Sequence, residues 1–337
     1  MKVNDIMNKY PFIYNIENKI QFMEQVYGFL DKPKILEHAR VLSNIGKIEE
    51  FFGKDLMFFD LSDFIFLFEN FGWVSAGTFG VRKTFVESYL DWAVRNGKVE
   101  YRNLENLKLM NNKDLIGNII FKISHFKNFD ELRELNSEIL KNEIVFQRII
   151  DETCFLTQEV LTYLIWLRLS LDECVNLKIT DIDFKNKQIK LNNRTIDVQD
   201  FIMDKIIKYS NIKEFSFSRG VSVITRPFME SPYLLRSIRA EQYTTNAVQQ
   251  ILTIYSELTG NLRVDSKYYN QDLKYNNLYR SSLFSDFYGF EQSENFNIKN
   301  VKLTPRIEFL NEKFPNEKIT ANITWDYLKW RKYYYNV

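Results

Sequence analysis

Leu171-Asp172-Glu173-Cys174-Val175-Asn176-Leu177-Lys178-Ile179-Thr180-Asp181-Ile182-Asp183-Phe184 decides how the rest of this chain reads. The run is the end of a buried helix, a turn, and the start of a hairpin. Asp181 and Asp183 fall in the turn, where short carboxylates bond backbone amides, so they are read as turn residues rather than a metal pair. Just downstream, Gln188 to Leu191 and Thr195 to Val198 alternate around Asn192-Asn193-Arg194, a hairpin signal. Lys190 and Arg194 ride on that hairpin as candidate exposed cations.

Upstream, the first hundred residues read as helices. Ile16 to Leu30 carries an apolar stripe at Ile20, Met23, Val26 and Tyr27, and Pro33 opens a second helix lined by Ile35, Leu36, Ala39, Leu42 and Ile45. Leu61 to Phe71 follows, with Ser62 as its expected cap and Gly72 as its stop. Thr78 to Asn96 is a fourth helix, punctuated by Arg82, Lys83 and Arg95 and stopped by Gly97. Leu115 to Ile123 and Phe129 to Leu140 fall in a helical connector. Beyond the hairpin, helices are expected over Asp200–Tyr209, Thr244–Thr259 and Leu273–Tyr288, with a last one beginning near Thr324.

Composition bounds the function. At 337 residues the chain holds two domains without disulfides, and 45% hydrophobic content excludes a disordered protein. Cys154 and Cys174 are too few for a disulfide framework and lack metal-ligand spacing, so both read as reduced, mostly buried thiols. Phe64-Ile65-Phe66-Leu67-Phe68 is too short to cross a bilayer, and no signal pattern opens the chain; a cytoplasmic protein is expected. A net charge of +1 neither demands nor excludes a nucleic-acid partner, because a balanced chain can segregate charge onto one face. Phosphate-binding glycine loops, nucleophile-elbow serines, zincin helices and Cys/His clusters are absent from the sequence, and no metal or cofactor is expected.

The opening stretch also resembles the segment that follows the first catalytic arginine of tyrosine recombinases (phage integrases), where Glu173, Leu177 and Asp181-Ile182-Asp183 fall into place. Gly53-Lys54-Asp55-Leu56, Ser75-Ala76-Gly77-Thr78 and Tyr89-Leu90-Asp91-Trp92-Ala93 are similar to that family's helical arm. Asn276-Asn277-Leu278-Tyr279-Arg280-Ser281-Ser282 resembles its His-x-x-Arg helix, with Asn277 in the histidine position and Arg280 in the arginine position. Thr324-Trp325-Asp326-Tyr327 is similar to its Thr-x-x-Tyr.

The resemblance implies a mainly α fold with a small β-hairpin or sheet: a two-domain clamp of a helical SAM-like arm and an integrase-like catalytic-type domain. The expected division is 1–105 for the arm, 106–150 for the connector and 151–337 for the second domain.

It also implies a chemistry. A tyrosine attacks the DNA phosphodiester, two arginines neutralise its oxygens, a hairpin lysine protonates the leaving oxygen, and histidines add hydrogen bonds. Here the first arginine position holds Ser170. Arg168, two residues upstream, would point about 200° away on a helix; its other reading is a cation at the border of the core. The only histidines are His38 and His125, so nothing after residue 125 supplies an imidazole. The hairpin lysine is Lys190 or Arg194, and both also fit as edge charges. Arg280 fits either a phosphate or an ion pair with Asp286 or Glu291.

Within the family, the losses and the aromatic C-terminus are most similar to the recombinase-like master repressors of SPβ-type phages. The implied partner is operator-like double-stranded DNA, contacted by Arg82, Lys83, Arg95, Arg168, Lys190, Arg194, Arg280, Lys329 and Arg331, with Arg236 and Arg239 as a further basic patch. Ser170, Glu173, Lys190, Asn277, Arg280 and Tyr327 are then vestigial catalytic positions. The alternatives are an active recombinase cleaving through Tyr327 and a helical scaffold without DNA affinity.

Overall fold

The computed structural model describes residues 3–10, 12–29, 31–71, 76–111, 116–117, 121–122, 124–142, 152–219 and 222–336. The chain divides into two compact units, residues 1–123 with 263–270, and residues 124–262 with 271–337. It is mainly helical, with two small antiparallel sheets among the described residues, both in the second unit.

The first unit contains α1 (Val3–Met7), α2 (Ile16–Tyr27), α3 (Lys32–Phe52), α4 (Leu61–Asn70), α5 (Ala76–Arg95) and α6 (Tyr101–Lys108). Helix α3 begins where expected: Asp31 caps the amide of Lys34 and Pro33 sits in the first turn. It ends because Gly53 takes φ +66°, a conformation that costs glycine little, and its amide bonds back to Glu49 and Glu50 carbonyls. In mid-helix, Gly46 lies against the Phe12 carbonyl so closely that a Cβ would sit 1.5 Å from that oxygen.

Two expectations change here. Helix α2 stops at Tyr27 instead of running to Leu30. The cap of α4 is Asp60, not Ser62: Asp60 Oδ1 accepts the Asp63 amide at 3.0 Å and Asp63 Oδ2 accepts the Asp60 amide at 2.8 Å. A carboxylate answers two amides of the first turn, whereas the Ser62 hydroxyl donates to Asp60. Gly72, Ser75 and most of Leu115–Ile123 lie outside the described residues.

A polar knot crosses the core of the first unit. Lys19 is fully buried and donates to Glu49 at 2.7 Å and Asp55 at 3.2 Å. The Tyr89 hydroxyl donates to Asp55 at 3.0 Å, and the Lys19 ammonium lies 3.9 Å over the Tyr89 ring. Burial pushes the Glu49 carboxyl up to about 7, with Lys19 opposing and Asp55 adding to the rise.

The second unit is built around α8 (Glu152–Trp166), buried from Phe155 to Trp166 on nearly every face. Such a helix belongs at the centre of a domain. Packed on it are α7 (Phe129–Lys141), α9 (Leu171–Asn176), α10 (Asp200–Ser210), α11 (Thr245–Thr259) and α12 (Tyr275–Ser293). Helix α14 (Ala321–Tyr335) packs on α12 and on α13 (Leu303–Lys313).

The first sheet joins β1 (Ile182–Asp183), β2 (Gln188–Lys190) and β3 (Thr195–Asp197). Its register aligns Ile182, Ile189 and Ile196, which puts the three apolar side chains on one face. Asp181 and Asp183 accept the amides of Lys178 and Asn186, as turn aspartates do.

A second hairpin, β4 (Glu214–Arg219) with β5 (Ser222–Pro227), was not expected from the sequence, nor was α13. Cys174 is buried, and burial raises its thiol well above the usual range. The side chain of Cys154 lies outside the described residues.

Candidate nucleic-acid interface

The segment quoted at the outset sets the local geometry. Leu167 to Leu169 ends α8, with Arg168 itself at φ +64°. Ser170 then starts α9: its hydroxyl accepts the Glu173 amide at 3.1 Å, and its own amide donates to Glu173 Oε2 at 2.7 Å. The position expected for an arginine is therefore a helix cap, and Glu173 is its reciprocal partner.

Arg194 reaches this cap from the hairpin. Its Nη2 lies 3.0 Å from Glu173 Oε2 and donates to the Arg168 carbonyl at 2.8 Å. The left-handed backbone of Arg168 turns its side chain off the helix path assumed from the sequence. Its guanidinium meets Glu317 at 3.2 Å and Asp286 at 3.2 Å, and Tyr279 also donates to Glu317. Residues Arg168, Arg194, Asp197, Lys313 and Glu317 line a cavity of about 320 Å³. Lys190 is exposed and pairs with Asp183 at 2.9 Å, across β2 and β1.

Arg280, on α12, pairs with Asp326 at 2.8 Å. The carboxylates anticipated for it are used elsewhere: Asp286 by Arg168 and Glu291 by Arg331. Asn277, one turn earlier on the helix, donates to Asp272 at 3.0 Å.

Tyr327 is fully buried. Its hydroxyl donates to Glu291, which also accepts from Arg331 Nη1 at 2.7 Å and from the Ile298 amide at 2.5 Å. Burial, then the bond to Glu291, raises the phenol far above its ordinary range. A phenol so placed neither ionises near neutral pH nor meets a phosphate in this conformation.

Arg331, expected to contact DNA, is 4% exposed and serves this interior knot; that expectation fails on burial. Lys83 is similarly enclosed and bonds Glu87. Arg236 donates to the Tyr209 carbonyl at 2.8 Å and stacks over Phe228, which makes it a packing residue. Arg95 pairs with Asp91 along its helix with most of its side chain in solvent, and Lys329 lies 3.9 Å from Asp326. Arg82 is partly exposed, 3.8 Å from Glu37.

The sequence reading missed the acidic half of this site. Glu317 and Asp326 lie in or beside the last helix, far in sequence from the arginines they meet. No local spacing marks them, although 44 acidic residues stand against the 45 basic ones. His125 is buried in the second unit beside Phe284, and burial, with Arg280 adding, pushes it down to about 3. It is a neutral core group.

No helix among the described residues is long and apolar enough to cross a membrane. No curated protein matches the chain. Among solved structures, a crystal structure of XerA recombinase is similar at 14% identity and a TM-score of 0.38, covering 93% of this chain and 93% of that one. Residues 13–95 match the model of the MrpR N-terminal core-binding domain. Residues 13–95 of the first unit are thus similar to a core-binding domain of the MrpR type.

Proposed function

We propose that this chain binds double-stranded DNA in a sequence-specific way without cutting it, and acts as a transcriptional repressor that maintains lysogeny in a prophage. The observation that carries the non-cleaving part is the state of Tyr327, buried and bonded to Glu291 within a closed ion pair. Ser170 as a helix cap and the lack of any histidine after residue 125 support the same reading. The DNA-binding part rests on the core-binding match over residues 13–95.

On this reading the cations within reach of a duplex supply affinity through phosphates, which makes binding salt-dependent. A smaller set of base contacts supplies selectivity. Arg95, Lys190, Arg280 and Lys329 are the most exposed of them, with Arg82, Arg168 and Arg194 partly covered.

The test combines two measurements. Electrophoretic shifts on fragments flanking the chain's own gene, titrated with salt, should give retarded complexes that weaken steeply as salt rises. Incubation with supercoiled DNA carrying the bound site should give no covalent protein–DNA product. Failure to shift any fragment at low salt rejects DNA binding; an adduct that disappears in Tyr327→Phe rejects the non-cleaving assignment.

A further inference from the structure

We propose that Asp326 competes with DNA phosphate for Arg280, and so sets the affinity of the second unit for a duplex. The inference rests on the DNA-binding reading above. Arg280 Nη1 lies 2.8 Å from Asp326 Oδ2, and Lys329 Nζ lies 3.9 Å from Asp326 Oδ1. One carboxylate thus sits between two cations and presents an oxygen to each, as the two non-bridging oxygens of a phosphate diester would. Carboxylate and phosphate are the two anions that a guanidinium fork matches, so either can occupy the same position.

Exposure separates this pair from Arg331 and Arg168, the other two arginines paired beside the last helices. Arg280 and Asp326 are 38% and 30% exposed, and Lys329 is 66% exposed. Water reaches both partners, the attraction is screened, and exchange of one anion for another is cheap. Arg331 and Glu291, at 4% and 2%, are sealed in the interior. Arg168 is held by two carboxylates at once, Glu317 and Asp286. Of these three, Arg280 is therefore the guanidinium whose release demands least, and its partner already stands at the surface. DNA binding then exchanges Asp326 for a phosphate, and Asp326 holds affinity below what the two cations alone would give.

The opposite role for Asp326 is a positioning one, in which it aims Arg280 at the phosphate. The two roles predict opposite signs. Binding of a fluorescein-labelled mixed-sequence duplex of about 30 base pairs is followed by anisotropy across a salt series, with the full chain and its Asp326→Asn variant.

Competition predicts a three- to tenfold gain in affinity near 0.1 M salt. It also predicts that the gain shrinks as salt rises, because salt screens the Asp326 attraction that the substitution removes. The gain should vanish when Arg280→Gln is added. Asp326→Ser provides the same readout if the asparagine variant unfolds, with circular dichroism as the check on folding. Unchanged or weaker binding by folded Asp326 variants overturns the proposal while leaving DNA binding intact. No binding by any variant at low salt removes the DNA reading itself, and this proposal with it.

Discussion

Replacing Arg331 by alanine separates an interior role for this side chain from a DNA-facing one. Arg331 and Glu291 are almost wholly enclosed, joined at 2.7 Å, and Arg331 also reaches Asn297 at 3.1 Å. Arg331→Ala strands the Glu291 carboxylate in the interior with only the Ile298 amide and the Tyr327 hydroxyl. Removing one partner of a buried pair costs about 3–5 kcal/mol, because the remaining charge is uncompensated or must take up a proton. Tyr327→Phe keeps the ion pair and removes one hydrogen bond to a charged group, for about 1.5–3 kcal/mol. Replacing both ions, with Glu291→Leu and Arg331→Met, leaves no stranded charge and should cost far less than Arg331→Ala alone.

Urea unfolding of the full chain reads this order, followed by far-ultraviolet circular dichroism and tryptophan fluorescence. Trp330 is buried with its ring 6.0 Å from that of Tyr327, so its emission reports on this part of the second unit. The midpoint should fall most for Arg331→Ala, less for Tyr327→Phe and least for the double replacement. An Arg331→Ala protein that unfolds at the wild-type midpoint but binds DNA more weakly, with a shallower salt dependence, refutes the interior assignment.

Protonation of His125 gives a pH test. Its folded-state value of about 3 lies below the ordinary 6.5, so the unfolded chain binds more protons between those limits. Its contribution is therefore fully present above pH 6.5 and lost as pH falls through 3, by up to roughly 5 kcal/mol. His125→Asn should flatten the fall in unfolding free energy between pH 6.5 and 5; an unaltered slope disproves the assignment. Gly46→Ala should reverse the usual sign of that change. In an open helix alanine gains about 1 kcal/mol, but here the new methyl meets the Phe12 carbonyl, and a loss of about 1–3 kcal/mol is expected in thermal unfolding. Asp60→Ala should cost about 1 kcal/mol through loss of the α4 cap, while Ser62→Ala stays within about 0.5 kcal/mol, which denaturation midpoints can separate.

What the sequence disclosed follows the range of the interaction involved. The first hairpin, the start of α3 and the start of α11 at Thr244 depend on neighbours within a few residues, and alternation, Pro33 and the threonine announce them. At the start of α4 both Asp60 and Ser62 fit the cap position in sequence, and only the reciprocal bond to Asp63 decides for Asp60. The β4–β5 hairpin is legible in the same way, since Phe215 and Phe217 alternate with Glu214, Ser216 and Ser218, the period-2 pattern of a strand, yet it is absent from the sequence reading above.

Partners of charged residues were the least legible. Lys19 reads as an ordinary solvated lysine within a helical stripe, and Glu49 is 30 residues away. Arg331 meets a glutamate 40 residues upstream, and Arg168 one 149 residues downstream. Nothing in one-dimensional spacing encodes those encounters. For Arg168 and Arg331 the fold itself supplies the anion that the sequence leaves open to DNA.

The same long-range contacts bear on the alternative of an active recombinase. For Tyr327 to attack a phosphate, α14 would have to leave its seat. That movement breaks the Glu291 bonds to Tyr327 and Arg331, the bond from Trp330 Nε1 to the Phe126 carbonyl at 3.0 Å, and the bond from the Tyr334 hydroxyl to the His125 carbonyl at 2.6 Å. It also exposes Trp330, at about 1.5–3 kcal/mol for a large apolar side chain. With the buried ion pair included, release comes to on the order of 10 kcal/mol. Micromolar to nanomolar binding supplies about 8–12 kcal/mol in total, so a DNA-driven release would consume nearly all of it. On the non-cleaving function proposed above, a duplex held with α14 docked leaves that free energy to affinity and selectivity.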